Sequence, residues 1–214
     1  MIQDSYIDKL AGKFNITVNK TPRTPLPSTE LVLYKGTATA QQIYGYQQRV
    51  GSLNFAAIIT RPDISKAVSK LSEFLRNPSP LHIAAADRTL EYLIGTKYRA
   101  IEFNGHQNHK RIFITSSDSA FADNTMTRCS SYGFCFSLFG GVIHYKAVKG
   151  TTVTTSSTEA ELLALSLTAK DFIWWKRFFK HLQFDLEEDP TIYCDNSQTI
   201  RILTKEAPKL QTAL

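Results

Sequence analysis

The pattern of apolar positions is most regular between residues 153 and 179. Apolar side chains recur there at intervals of three or four, which is the spacing of one helical face. These positions are Leu162, Leu165, Ala169, Phe172 and Ile173, and a further set widens the apolar surface: Leu163, Leu167, Trp174, Trp175, Phe178 and Phe179. The preceding hydroxyl-rich run, residues 153–158, supplies oxygens suited to an N-cap. We therefore expect a long helix that packs on more than one side, with Glu159 and Glu161 in its first turn.

Helical spacing also dominates the first half of the chain. The pattern predicts helices at residues 4–14, 39–59, 64–75 and 82–94, and a short strand at 98–103. Between the first two helices, three prolines and several threonines predict an extended tether over residues 16–38, because proline removes a backbone donor and disfavours helix. The helices from residue 39 onward are expected to form a compact bundle.

The second half contains short runs rich in β-branched and aromatic residues, which predict strands. They lie at residues 111–115, 132–139, 142–146 and 192–194, with a hairpin turn at Gly140-Gly141 and a last helix over 198–205. A long helix between the third and fourth strands indicates a mixed sheet covered by helices. The polar run at 105–110 is the expected boundary, which gives three regions: 1–38, 39–105 and 106–214.

Composition narrows the class of protein. With 43% hydrophobic and 11% aromatic residues, the chain can bury a core, and global disorder is excluded. No apolar run approaches the roughly 20 residues of a membrane-spanning helix, so we expect no membrane partner. The N-terminus lacks a signal-peptide layout. Three cysteines without paired spacing favour a reducing intracellular setting, cytoplasmic or nuclear, and argue against a zinc knuckle or a disulfide framework.

Charge is distributed unevenly along the chain. Residues 1–110 carry 14 Lys and Arg against 8 Asp and Glu, whereas residues 111–214 carry 11 of each kind. The basic excess therefore lies in the first half, which suggests that this half faces a polyanion such as nucleic acid. A solvated basic face with no ligand is the alternative interpretation.

Three carboxylates occupy comparable places. Asp118 closes the first predicted strand of the second half, Glu161 begins the long helix, and Asp195 closes the fourth strand. Acids at such positions can converge at one rim of a sheet, where their mutual repulsion favours a bound cation. Hard oxygen ligands with no cysteine partner suit Mg²⁺ or Mn²⁺ rather than zinc, and two such ions can activate water for phosphodiester cleavage. The alternative is that each acid merely caps an element.

Two stretches of sequence resemble a known family. The runs SSTEAELLAL (156–165) and YCDN (193–196), with ITSSDSAFAD (114–123), resemble the ribonuclease H domain of copia-type retrotransposon polyproteins. In the first half, VGSL (50–53), TRPDI (60–64) and YLIGTK (92–97) resemble the segment that follows the polymerase active site in the same polyproteins. The resemblance covers essentially all 214 residues.

The resemblance implies an α/β fold: a ribonuclease H-like mixed sheet with flanking helices, preceded by a mainly helical thumb- or connection-like region. It also implies that Asp118, Glu161 and Asp195 are the metal ligands and catalytic carboxylates. Glu161 matches the family ligand because Leu162-Leu163-Ala164 follow it. Glu159 lies about 200° away around a helix, so it is expected to cap the helix or support the ligands, or to serve as the alternative acid.

Contacts to nucleic acid are also expected. Ser157 and Thr158 fall where family members touch the backbone of an RNA–DNA hybrid. The basic first half is expected to hold the duplex by its phosphates, with Lys66, Lys70 and Arg88 as candidate side chains.

The sequence departs from the family pattern in two respects. Family members continue beyond the point matching Leu214 with a further acidic motif and a final helix, and their second acid after Asp118 is replaced here by Ser119-Ala120. The paired aspartates of the polymerase are absent, which predicts no DNA synthesis. The expected activity is hydrolysis of the RNA strand of an RNA–DNA hybrid with two Mg²⁺ or Mn²⁺ ions, as part of a retrotransposon reverse transcriptase. The alternative is a catalytically impaired fragment that binds nucleic acid or a partner protein, such as the rest of the polyprotein.

Overall fold

A computed structural model describes residues 1–103, 112–186 and 190–204. The chain divides into two compact units, Met1–Glu102 and Phe103–Leu214. Helices form the first unit, and a mixed four-stranded sheet with flanking helices forms the second. The predicted mixed α/β class is therefore confirmed. Across the ranges that the structure describes, none of the helices combines the length and apolar character needed to cross a membrane.

The first unit contains four α-helices. They are α1 (Asp4–Phe14), α2 (Ala40–Ile59), α3 (Ser65–Ser72) and α4 (Pro80–Gly95), with a 3₁₀ turn at Pro62–Ile64. Capping boxes start two of them: the Thr39 hydroxyl accepts from the Gln42 N–H, and the Ser79 hydroxyl accepts from the His82 N–H. The core joins side chains from all four helices and the turn, including Ile7, Tyr46, Leu53, Ile64, Leu71, Leu90 and Leu93.

The predicted strand at 98–103 is wrong. The chain there forms a turn and then irregular backbone, and the Ile101 N–H donates to the carbonyl of Met1. The apolar alternation was real, since Ile101 is buried, but a strand also needs a neighbouring strand to complete its ladder.

Arg61 is almost completely buried and joins three parts of the first unit. Its guanidinium donates to both carboxylate oxygens of Asp63, at 2.9 and 2.8 Å, and to the Thr96 hydroxyl at 2.6 Å. Burial acts to raise the pKa of Asp63, but the hydrogen bonds and charge of Arg61, helped by Tyr92 and Arg99, outweigh it and lower that pKa. The TRPD run therefore fixes the 3₁₀ turn against the end of α4.

Replacing Arg61 with Ala should destabilise the first unit by about 1–3 kcal/mol, because it removes a nearly fully buried side chain and the donor to the carbonyl oxygen of Thr96, whereas Asp63 keeps the Tyr92 hydroxyl. Urea unfolding, followed by circular dichroism, measures the difference. An exposed arginine of the same unit, Arg76→Ala, is the control and should change stability by less than about 0.5 kcal/mol. A loss below 1 kcal/mol for Arg61→Ala, on the same order as this control, would contradict the assignment.

His82 is buried in a position where only the neutral ring fits. Its Nδ1 accepts the Ser79 N–H at 2.9 Å, so the proton lies on Nε2, which donates to the carbonyl of Val32 at 3.0 Å. The ring stacks on Phe74 with centroids 3.9 Å apart. Burial, together with the positive charge of Lys70, lowers the pKa of His82 against the raising effect of the Val32 carbonyl.

The stability of the first unit should therefore fall as the pH drops below about 6.5, the ordinary pKa of histidine. Below that value the unfolded chain takes up a proton that the folded ring resists, so the contribution is fully present above it and is lost on acidification. Urea unfolding between pH 8 and pH 5 tests this expectation. His82→Gln keeps a capping-box acceptor but cannot titrate, so its curve should lack this component; parallel curves for the two proteins would contradict the assignment.

The second unit is built on four strands: β1 (Phe113–Ala120), β2 (Cys129–Leu138), β3 (Gly141–Val153) and β4 (Ile192–Tyr193). Their order in the sheet is β3-β2-β1-β4, with β4 parallel to β1 and the other pairs antiparallel. The turn between β2 and β3 lies at Phe139-Gly140, one residue earlier than predicted, and both residues have positive φ, of 52° and 81°. Such a turn matches the twist of a tight hairpin.

Helix α5 (Ser157–His181) covers one face of this sheet, and α6 (Ser197–Thr204) packs against α5. The core between α5 and the sheet is aromatic: Phe113, Phe134, Phe136 and Phe179 are buried. Closer to the start of α5, Thr168 and Ser117 lie hydroxyl to hydroxyl at 3.0 Å, and Tyr132 packs against Ala160 and Ala164. Odd-numbered residues of β1 therefore face α5.

Strand β1 is longer than predicted, which changes the position of Asp118. The prediction had Asp118 close the strand, but Ser119 and Ala120 continue the pairing with Tyr132 and Ser131 of β2. Asp118 thus lies inside the strand, opposite Gly133. Because successive side chains of a strand point to opposite faces, Asp118 lies on the face away from α5.

Candidate metal and active site

Among the described residues of the second unit, Glu161 is the acid that is buried. It lies in the second turn of α5, one turn later than predicted, and only 5% of its surface is exposed. Its Oε1 accepts two hydrogen bonds from Ser119, from the N–H at 3.1 Å and from the hydroxyl at 2.7 Å. These bonds fix one carboxylate oxygen against the end of β1 and leave Oε2 facing the segment after β4.

That segment brings two further ligand atoms to the same place. Because β4 runs parallel to β1, the residues that follow Tyr193 emerge beside the end of β1. The Cys194 thiol donates to Glu161 Oε2 at 3.7 Å, and one ligand atom each from Glu161, Cys194 and Asp195 lies within 4.8 Å of the others. The Asn196 side chain then accepts from the Thr199 N–H and caps α6.

The two predicted carboxylates Glu161 and Asp195 are thus brought together, whereas Asp118 is not. No described group of three metal-ligating side chains includes Asp118. Its exposed side chain lies on the opposite face of the sheet, and Ser119 occupies the corresponding place beside Glu161. The structure therefore brings two of the three predicted carboxylates together and leaves the third, Asp118, on the other face of the sheet.

The other predicted residues take structural positions. Glu159 Oε2 accepts from the N–H and hydroxyl of Thr155, at 2.7 and 2.8 Å, and these bonds lower the pKa of Glu159. Ser157 is exposed at the start of α5, and Thr158 is half-buried beside it. Glu159 thus fastens the loop to the helix N-terminus, away from the carboxylate of Glu161.

The candidate basic residues belong to the first unit. Lys66 is exposed on α3. Lys70 pairs with Glu73 at 3.3 Å and lies 5.7 Å from the Phe74 ring centroid. Arg88 donates to the Thr24 hydroxyl at 3.3 Å. Lys70 and Arg88 therefore already have partners within their own unit.

Two residues of the site were missed from sequence: Ser119 and Cys194. Ser119 was treated only as the replacement of a family acid, and Cys194 only as an unpaired cysteine. The adjacency of Cys194 to Asp195 was a usable signal, since both follow the short fourth strand. Burial and, to a smaller extent, the charge of Glu161 raise the pKa of Cys194, against the lowering effect of the Asn196 backbone, so the thiol keeps its proton at neutral pH.

The donor set fits a divalent cation. Glu161 Oε2 and the Asp195 carboxylate offer the oxygen ligands that Mg²⁺ and Mn²⁺ prefer. Among the residues with described positions, no Lys, Arg or His forms an ion pair with Glu161. A bound metal ion would compensate the negative charge of a buried carboxylate that has no cationic side chain beside it.

Comparisons with known proteins identify the origin of the chain. No protein-family model and no solved structure matches it. It is 34% identical over 204 residues to the retrovirus-related Pol polyprotein from transposon TNT 1-94 of Nicotiana tabacum, covering 92% of this chain and 15% of that polyprotein. It is also 34% identical over 195 residues to that from transposon RE1 of Arabidopsis thaliana, covering 91% of this chain and 13% of the relative.

A shorter relative matches over most of its own length. The secreted RxLR effector protein 161 of Plasmopara viticola is 36% identical over 129 residues, which is 60% of this chain and 89% of that protein. The chain itself spans only a small part of the two polyproteins. With a third of its residues shared over nearly its whole length, the chain belongs to the family of retrovirus-related Pol polyproteins of copia-type transposons.

Proposed function

We propose that the second unit is a ribonuclease H-type domain that hydrolyses the RNA strand of RNA–DNA hybrids, as part of a retrotransposon reverse transcriptase. The observation that carries this proposal is the convergence of Glu161 and Asp195 beside the end of β1. Membership of the family of retrovirus-related Pol polyproteins supports it. The proposed setting is the cytoplasm or the nucleus.

The proposed cofactor is Mg²⁺ or Mn²⁺, bound as two ions by Asp118, Glu161 and Asp195. When bound, such ions supply an activated water and stabilise the leaving oxygen. Ser119 holds Glu161 Oε1, so Oε2 is the oxygen that would be available to an ion. Asp195 follows β4 directly, and its backbone is fixed by pairing of β4 and by the cap of α6. In the described pairing Glu161 and Asp195 are the carboxylates that would hold an ion; Asp118 would join them only in a different pairing of β1, which would replace the Ser119 bonds.

Recognition of the hybrid is proposed to depend on its backbone. The first unit carries the basic excess of the chain, so binding should weaken as salt concentration rises. An A-form-like hybrid is distinguished from DNA by groove shape and 2′-hydroxyls rather than by base sequence. Ser157 and Thr158, at the start of α5, remain the proposed backbone contacts of the second unit.

A specific observation supports a second candidate function, hybrid binding without cleavage. Asp118 and Glu161 lie on opposite faces of the sheet, so two ions cannot share both carboxylates in the described arrangement. A protein with this geometry would retain the electrostatic attraction of the duplex and lose hydrolysis. It would then bind a hybrid or another part of the polyprotein.

Cleavage of a labelled RNA–DNA hybrid in Mg²⁺ or Mn²⁺ separates these functions. The two-ion proposal expects Asp118→Asn, Glu161→Gln and Asp195→Asn each to lower the cleavage rate by at least about 100-fold, since each removes a direct ligand. Full activity in Asp118→Asn alone would contradict the two-ion set and leave the Glu161–Asp195 pair. Salt-sensitive binding of the hybrid by a wild-type chain that does not cleave would establish the second candidate instead.

Ser119 provides a test of how Glu161 is positioned. Ser119→Ala keeps the N–H bond but removes the hydroxyl bond, so the Mg²⁺ concentration needed for half-maximal cleavage should rise about tenfold. Ser116→Ala is the matched control, because Ser116 is exposed on the opposite face of β1. An equal effect in both variants would show that the Ser119 hydroxyl does not orient the ligand.

A further inference from the structure

The outer face of α5 presents two aromatic rings to solvent. Trp174 is 56% exposed and Phe178 is 38% exposed. Residues four apart are neighbours on a helix surface, and these two rings are stacked, with centroids 5.3 Å apart and planes only 9° apart. Trp175, by contrast, packs against the aromatic core beside Phe113 and Phe179. Trp174 and Phe178 therefore lie outside the core between α5 and the sheet.

The core side of the helix supports this pair of rings. Trp175 is nearly perpendicular to both, and its centroid lies 5.0 Å from that of Trp174 and 5.5 Å from that of Phe178. It therefore contacts the stack from the side rather than covering either end of it. The two exposed rings are thus held in one arrangement before any ligand arrives.

Cationic side chains lie beside the two rings. Lys170 is one turn before Trp174 and Arg177 nearly one turn after it, so both lie within about 60° of Trp174 around the helix axis. Both cations are exposed, and within the described ranges neither forms an ion pair. The one acid between residues 170 and 184 is Asp171, whose Oδ2 lies 3.1 Å from Nε2 of His144. This face is therefore both aromatic and positively charged.

Flat rings beside unpaired cations suit a single-stranded nucleic acid. Unpaired bases stack on exposed aromatic side chains, and a positively charged surface follows the phosphates that link them. Because the two rings are nearly parallel, a base placed on the outer side of either ring extends the existing stack. A protein partner fits less well, since lysine is depleted in protein interfaces. A duplex also fits less well, because its bases are already stacked on one another.

We propose that this aromatic and cationic face of α5 binds single-stranded nucleic acid. Its residues are Lys170, Trp174, Arg177 and Phe178. Stacking and phosphate contacts use neither the base edges nor the 2′-hydroxyl, so binding is tolerant of sequence and similar for DNA and RNA. At 1.5 Å per residue, Trp174 lies roughly 20 Å along the helix axis from Glu161, so the site is separate from the carboxylates.

The ring is tested by fluorescence anisotropy of the full chain in EDTA, with labelled oligothymidylate and oligouridylate of about 15 nucleotides. Trp174→Leu keeps an apolar side chain but removes the ring, so it should weaken binding of both oligonucleotides about tenfold. Trp174→Phe keeps a ring and should stay within about threefold of the wild type. The control is Ile173→Ala, an exposed apolar neighbour outside the stack, which should leave the affinity unchanged. Equal losses in the Leu and Phe variants, or in Ile173→Ala, would overturn the proposal.

The cation is tested by the salt dependence of the same binding. Arg177→Gln should weaken binding and reduce the slope of log affinity against log salt by about 0.7, the value for one phosphate contact to a single strand. Lys176→Gln is the matched control, because Lys176 is exposed on the same helix but lies about 200° from Trp174 around the axis. Equal slopes in the two variants would contradict the phosphate contact.

Intrinsic fluorescence provides a measurement on the unlabelled chain. Trp174 and Trp175 are its two tryptophans, so emission reports directly on this part of α5. Oligothymidylate should quench the emission of the wild type by stacking on Trp174, but should leave that of Trp174→Phe unchanged, where only the half-buried Trp175 remains. Equal quenching in both proteins would overturn the assignment of the stacking ring.

An RNA–DNA hybrid separates this site from the proposed nuclease. Paired bases cannot stack on Trp174, so Trp174→Leu should bind and cleave a hybrid as the wild type does. Single-strand binding that depends on Trp174, in a chain that never cleaves a hybrid, keeps this site and rejects the nuclease. Cleavage with single-strand binding that is indifferent to Trp174 does the reverse.

Sedimentation of the chain without nucleic acid tests the other occupant of an exposed aromatic face, a second copy of the chain. We expect the wild type and Trp174→Leu to sediment alike. Self-association that Trp174→Leu abolishes, with no change in oligonucleotide affinity, would make this face a contact between copies and overturn the proposal.

Discussion

The burial of the Glu161 carboxylate is the constraint on which the second unit depends. Taking a charged group out of water is costly unless donors or a cation meet it, and here Ser119 supplies two donors to a single oxygen. Those bonds form only when Ser119, near the end of β1, lies directly beside Glu161, near the start of α5. The aromatic core further along α5 includes Phe113, Phe136 and Phe179. It buries the same face of the helix and so keeps α5 in place on β1. Packing at one end of the helix thus positions chemistry at the other.

The two-residue period of a strand decides which acids can act together. One additional pair of residues in the β1–β2 ladder moves Asp118 from the predicted rim to the interior of a strand, and places Ser119 beside Glu161. Strand β4 lies beside β1 in the sheet and runs parallel to it. This pairing places Cys194 and Asp195 at the same edge as Glu161. The site therefore carries two carboxylates and a thiol on one face, and an exposed carboxylate on the other.

In the first unit, the motif that resembles the polymerase-proximal segment proves to be structural. Arg61 of the TRPD run is buried. Its guanidinium donates hydrogen bonds to Asp63 and Thr96, so it does not face a phosphate. Local hydrogen bonds also fix the start of α4, where His82 completes a capping box. The other ring nitrogen of His82 bonds to the carbonyl of Val32 and so holds the extended segment. Some of the cationic side chains that make up the basic excess therefore already bond to groups of the same unit. Of the candidate phosphate contacts, Lys70 and Arg88 contact groups of their own unit.

Much of this protein followed from its sequence alone. Helical spacing located α1, α2, α4 and α5 within a few residues, because amphipathic periodicity and capping residues are local signals. The family was also readable from short motifs, as the relatives confirm. The lengths of β1 and β3, the face of Asp118, and the roles of Ser119 and Cys194 were decided by tertiary structure. The reason is that strand ends and side-chain faces depend on which neighbouring strand continues the ladder, a long-range property that no local pattern of residues encodes.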